Sequence, residues 1–175
     1  VAVSTIGGTA TGSTIGFSST LDGNQTLGLT AGTTGDVSFT GLVGDTTPVG
    51  AITINSANNV TANGVRAASL AQTTGQGTTT LNQGNFTTGT DEAVTTTAAA
   101  GVAIATKNIA LNHGITTTGT GPVSLLATQN SGGTLTIAAN GDIVVNNDVT
   151  LTATGGITTA GDVTTNADSA PVTFS

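Results

Sequence analysis

A short polar turn followed by an apolar β-branched residue recurs along the chain. Between residues 140 and 165, NGDIVVNNDVTLTATGGITTAGDVTT, it comes round at Asp142-Ile143, Asp148-Val149 and Asp162-Val163. Asp or Asn holds the same place before Val37, Val60 and Ile109. Gly, Asn and Asp turn a chain at low conformational cost, and Val and Ile favour extended backbone. A sequence that restarts this often has no room for long helices. It can make short strands joined by tight corners.

Strand periodicity supports this. Apolar residues alternate at Ile15-x-Phe17, Leu27-x-Leu29, Val37-x-Phe39, Ile52-x-Ile54 and Ile109-x-Leu111. They do so again at Val123-x-Leu125, Leu135-x-Ile137, Ile143-x-Val145, Val149-x-Leu151 and Val172-x-Phe174. Period-two alternation bounded by turn residues is the pattern of a strand. The segment nearest to helical, AVTTTAAAGVAIATK (93–107), is interrupted by Thr, Val, Ile and Gly101. Little or no helix is expected.

The restarts are spaced by 23 residues (37 to 60), 34 (109 to 143) and 20 (143 to 163), with Ile137 and Ile157 a second series 20 apart. Irregular periods near this length are those of solenoid rungs. The expected fold is all-β: one parallel β-helix over 1–175, with roughly 20–25 residues per rung. Each strand then pairs with its equivalent one rung on. The alternative is an antiparallel immunoglobulin-like β-sandwich of the kind found in adhesin repeats. Against it stand very short strands and a lack of Trp and Tyr to fill a two-layer core. VTFS (172–175) overlays IGFS (15–18), so the segment is expected to be about one unit of a tandem array.

Composition narrows the core and the partners. Only 6% of residues are charged, against roughly 25% in ordinary soluble domains. The chain has about 40 threonines, four phenylalanines and no Cys. A narrow filling of Val, Ile, Leu, Ala and Thr follows, with neither disulfides nor thiolate metal sites. The net charge of −7 comes from nine acids against Arg66 and Lys107. Without a basic patch to neutralise phosphates, nucleic acid is not an expected partner. No run reaches the 18 apolar residues of a membrane span. The opening VAVSTIGG lacks Met and a charged leader, so the chain reads as a segment of a longer protein.

Stretches 17–44 (FSSTLDGNQTLGLTAGTTGDVSFTGLVG), 46–73 (TTPVGAITINSANNVTANGVRAASLAQT) and 140–165 are similar to the repeat regions of very large bacterial surface proteins of the filamentous-haemagglutinin-like and β-strand-repeat type. The resemblance implies a right-handed parallel β-helix, export to the cell surface, and a role as stalk, adhesin or surface-layer material. It carries over no catalytic residue. The secretion motif that begins such adhesins is not visible here.

The residues that could carry chemistry have plain structural readings. The acids are Asp22, Asp36, Asp45, Asp91, Glu92, Asp142, Asp148, Asp162 and Asp168. Glycosidic chemistry needs two carboxyls facing one bond, and stacking would set Asp142 and Asp162 about 5 Å apart. Each also stands in a turn, where Asp is expected to cap its own backbone. Calcium takes oxygen ligands, which makes Asn147, Asp148 and Asp162, beside Asn146, the weak Ca2+ candidates. His113 stands alone before Gly114 and reads as a turn residue. Thr-x-Thr pairs form the lattice of water-ordering faces, but they lack one fixed period, so no regular face is expected.

The function expected is therefore structural and non-enzymatic: a rigid stalk or filament-forming repeat of an exported bacterial cell-surface or matrix protein. Its partners are neighbouring repeats, identical copies end to end, and surface glycans. The alternatives are a carbohydrate- or ice-binding solenoid and a β-helical polysaccharide-active enzyme.

Overall fold

The computed structural model describes residues 1–167 and 170–175, and the described residues form strands and turns without helix. Three strips of parallel strands wrap a narrow lumen. The first face stacks β1 (Ala2–Ser4), β3 (Leu27–Thr30), β5 (Val49–Ser56), the second half of β7 (Val65–Gln72), β10 (Val102–Thr106), β13 (Val123–Ala127), β16 (Val149–Ala153) and β19 (Val172–Phe174). The second stacks β2 (Ile15–Phe17), β4 (Val37–Phe39), β6 (Val60–Asn63), β8 (Thr78–Asn82), β11 (Asn108–Leu111), β14 (Thr134–Ile137) and β17 (Gly156–Thr159). The third begins with bridges at Leu21, Val43 and Val65. It continues through the first half of β7 to β9 (Val94–Thr96), β12 (Ile115–Thr117), β15 (Ile143–Val145) and β18 (Val163–Thr165). Strand β7 rounds a corner unbroken and so joins the first and third faces.

Every strand pair is parallel and links equivalent positions one turn apart, as in Val37↔Val60, Ile115↔Ile143 and Val123↔Val149. The fold is thus a parallel β-solenoid of about seven turns, and the antiparallel sandwich is excluded. With strands about 4.8 Å apart, the body is roughly 34 Å long. Among the described residues no helix is long and apolar enough to cross a membrane.

The lumen is filled by columns. On the first face Leu29, Ile54, Gln72, Ile104, Leu125, Leu151 and Phe174 stack in sequence. On the second, Ile15, Val37, Val60, Thr79, Ile109, Leu135 and Ile157 do the same. Alternate side chains point inward because a strand presents successive residues to opposite faces. Phe17 and Phe39 stack face to face, centroids 5.1 Å apart, in the first two turns. Midway, the Thr79 hydroxyl donates to Gln72 Oε1 at 2.6 Å, a polar pair inside an otherwise aliphatic column.

All ten alternating windows are strands, and 93–107 contains β9 and β10. The rung length differs from expectation. Consecutive stacked positions lie as few as 18 residues apart (Ile52 to Leu70) and as many as 32 (Leu70 to Val102). Ile109 and Ile143 lie on different faces, so their spacing of 34 is not a rung. Ile157 stacks on Leu135, and Ile137 on Thr159. Strands stay short and in register while the corners absorb the variation in length. The overlaid segments 15–17 and 172–174 also lie on different faces, second and first.

Candidate functional site

The corner residues that punctuate the sequence are staples between turns. At the corner between the first and second faces, Thr14, Asp36, Asn59, Thr78, Asn108 and Thr134 form a continuous ladder. The Asp36 amide donates to the Thr14 hydroxyl. Asp36 Oδ1 accepts from the amide and side chain of Asn59 and from the side chain of Asn58. Asn59 Oδ1 accepts the Thr78 amide at 2.9 Å, and Asn108 Oδ1 accepts the Thr134 amide and hydroxyl. Asp142 behaves alike, accepting the Asp162 amide at 2.8 Å. The expected self-capping is therefore corrected. The carboxylate caps the backbone of the next turn, because the parallel stack brings that amide directly beneath it.

A second ladder escaped sequence inspection. Asn63 donates to the Thr40 carbonyl, Asn82 to Asn63 Oδ1 and Asn112 to Asn82 Oδ1, at 3.3, 2.9 and 2.8 Å. Each amide donates with its nitrogen and accepts with its oxygen, so identical side chains satisfy one another along the axis. The available signal was an Asn directly after the last inward residue in VTAN, TTTLN and NIALN. A shorter ladder links Asn166 to Asn146 and Asn146 to the Thr118 carbonyl.

The calcium candidates fall at two different corners. Asn147 donates to the Thr120 carbonyl and accepts the Asp148 amide, before the first face. Asp162 lies before the third face. Among the described residues no three His, Cys, Asp or Glu side chains gather as a metal site, and Asp168 lies outside the described residues. Asp142 and Asp162 are one turn apart, with a backbone amide bound to the first. His113 occupies its corner with Nδ1 3.7 Å from Glu92 Oε2.

The outer surface is more regular than the sequence suggested. Along the second face Gly16, Ser38, Thr61, Thr80, Ala110, Thr136 and Thr158 form one outward column. Thr78 and Thr134 lie two residues before Thr80 and Thr136 on the same face. The expectation that no face is regular is overturned, since unequal corners leave the strands in register.

One corner departs from the rest. Residues 83–93 form a loop that folds back toward earlier turns. Its Thr87 amide and hydroxyl both donate to the Asp45 carboxylate at 2.7 Å. The Arg66 guanidinium lies 3.8 Å from the centroid of the Phe86 ring and donates to the Thr90 carbonyl. Asp91 accepts the Phe86 amide. The hydrogen bonds from the Thr87 amide and then its hydroxyl hold the Asp45 carboxyl below its ordinary pKa; partial desolvation opposes this, and the Arg66 charge adds a smaller lowering. The loop is latched rather than loose.

The two ends of the lumen are apolar. At the first turn a recess of about 230 Å³ is lined by Val1, Val3, Phe17, Leu21, Leu27 and Val49 among others. At the last, Val172 and Phe174 are 38% and 52% exposed. Neither the protein-family models, nor the curated proteins, nor the solved structures include a match to this chain.

Proposed function

We propose that the chain is a structural repeat module of an exported bacterial cell-surface or matrix protein, a rigid stalk that lengthens by adding turns. The observation that carries this is the pair of open apolar ends, where inward columns and strand edges remain available on the solenoid axis. An unpaired strand edge is a template for further pairing. Neighbouring repeats of the same protein cover these ends in a longer chain, and identical copies cover them when the segment is alone. The staples at the corners suit such a role, because they resist slippage between turns without using charge. The reading assigns no catalytic residue.

Sedimentation velocity over a concentration series, with electron microscopy of the same samples, tests the proposal. Thin end-to-end filaments that grow with concentration are expected. A single monomeric boundary at the highest concentration contradicts self-stacking. Antibody labelling of unpermeabilised source cells tests the surface location, and labelling seen only after permeabilisation contradicts it.

A further inference from the structure

The corners between the second and third faces differ in length, and the difference cuts a notch in the wall. Three residues (40–42) separate the inward Phe39 from Val43 in the second turn. Only Asn63 and Gly64 separate Ala62 from Val65 in the third. In the fourth turn twelve residues (82–93) lie between Leu81 and Val94. The short third corner is thus flanked by a full corner on one side and by the latched loop on the other. The result is an open cleft of about 560 Å³, within the size range of small-molecule sites.

Gly64 makes the notch possible. Its φ of +89° suits a residue without a side chain, and a Cβ there would stand 2.5 Å from Gly84 Cα and 2.9 Å from the Phe86 ring. The Phe86 ring therefore packs against bare backbone, which draws Gln83 and Asn85 up as the far wall. On the near wall Asn63 and Thr40 are committed to the protein. Asn63 bonds to the Thr40 carbonyl and to Asn82, and the Thr40 hydroxyl donates to the Phe17 carbonyl. Ser18, Ser19, Thr20, Gln83 and Asn85 are different. They are exposed in the cleft, and among the described residues their side chains make no hydrogen bond within the protein.

We infer that this cleft binds a neutral saccharide. Its walls carry hydroxyls and amides but no charged side chain, so they offer an anion or cation no counter-charge. Hydroxyl and carboxamide groups both donate and accept, as the hydroxyls of a sugar do. The free groups stand on corners fixed by the stacked backbone and on a loop held at Asp45 and Arg66, so little ordering is left for the ligand to impose. The cleft is open on one side and lacks an aromatic platform, and the affinity is accordingly millimolar. The inference stands apart from end-to-end stacking, since the cleft is on the side of the solenoid.

The test is an amide-resolved NMR titration of the full chain with cellotriose, maltotriose and chitotriose, each up to roughly 20 mM, and with trigalacturonate as the anionic comparison. Saturable shifts centred on residues 18–20 and 83–85 are expected with at least one neutral sugar, and none with trigalacturonate. The Q83A/N85A variant should weaken that binding at least tenfold while leaving amides elsewhere unchanged. Arg66→Ala, outside the cleft, should weaken it less, by loosening the far wall. If Q83A/N85A disturbs the spectrum at large, Thr20→Ala replaces it with the same expected direction. Absence of saturable shifts at those amides with all three neutral sugars overturns the inference. So does a preference for trigalacturonate, or binding unchanged in the cleft variants.

Discussion

Single residues divide into lumen fillers and corner staples, and the two groups predict different costs. Leu125 is fully buried between Ile104 and Leu151. Its replacement by alanine leaves a cavity in a column that cannot collapse without breaking register, so a loss of about 2–5 kcal/mol is expected. Thr96 sits fully buried with a hydroxyl that has no partner. Thr96→Val keeps the shape and removes the unpaired group. A gain of about 1 kcal/mol is expected on that ground. Asn82 both donates and accepts in its ladder, and Asn82→Ala should cost about 1–2 kcal/mol because two amides lose a partner. Urea unfolding with matched slopes measures all three; a Thr96→Val variant less stable than the parent contradicts the unpaired-hydroxyl account.

At the scale of elements, strands and corners were legible to different degrees. The period-two windows located ten strands, because alternation follows directly from the geometry of extended backbone. Strands β7, β8 and β12 were harder to see. Their inward positions include Ala67, Gln72, Thr79 and Thr117, which do not stand out as apolar. The Asp or Asn before Val37, Val60 and Ile143 marked corners correctly, but its hydrogen-bond partner lies a full turn away and has no local signature. The turn-to-turn spacing was obscured for the same reason, since corners vary from two residues to twelve without disturbing the stack. The latch of loop 83–93 depends on Asp45, 42 positions from Thr87, and no short-range pattern records it.

That latch predicts a pH dependence. The Asp45 carboxyl is held below its ordinary value of 3.8. A depressed folded-state pKa means that its contribution is present above the ordinary value and lost as pH falls through the lower one. The Thr87 amide resonance should therefore hold its position from neutral pH to about pH 5 and move only on further acidification. Movement near neutral pH contradicts the assignment. Gly64→Ala strains the same element, with an expected cost of about 1–3 kcal/mol and faster exchange of amides 83–93.

Taken whole, the molecule is a stack in which sequence length is spent at corners and the strands keep register. The ends, side cleft and regular second face all follow from that stack. The most direct measurement is the set of through-space NMR contacts made by β12. The account predicts that Thr116 lies beside both Thr95 and Val144, 21 and 28 residues away in sequence, in parallel register. Close Cα-proton pairs of antiparallel partners, or the absence of either neighbour, would contradict it.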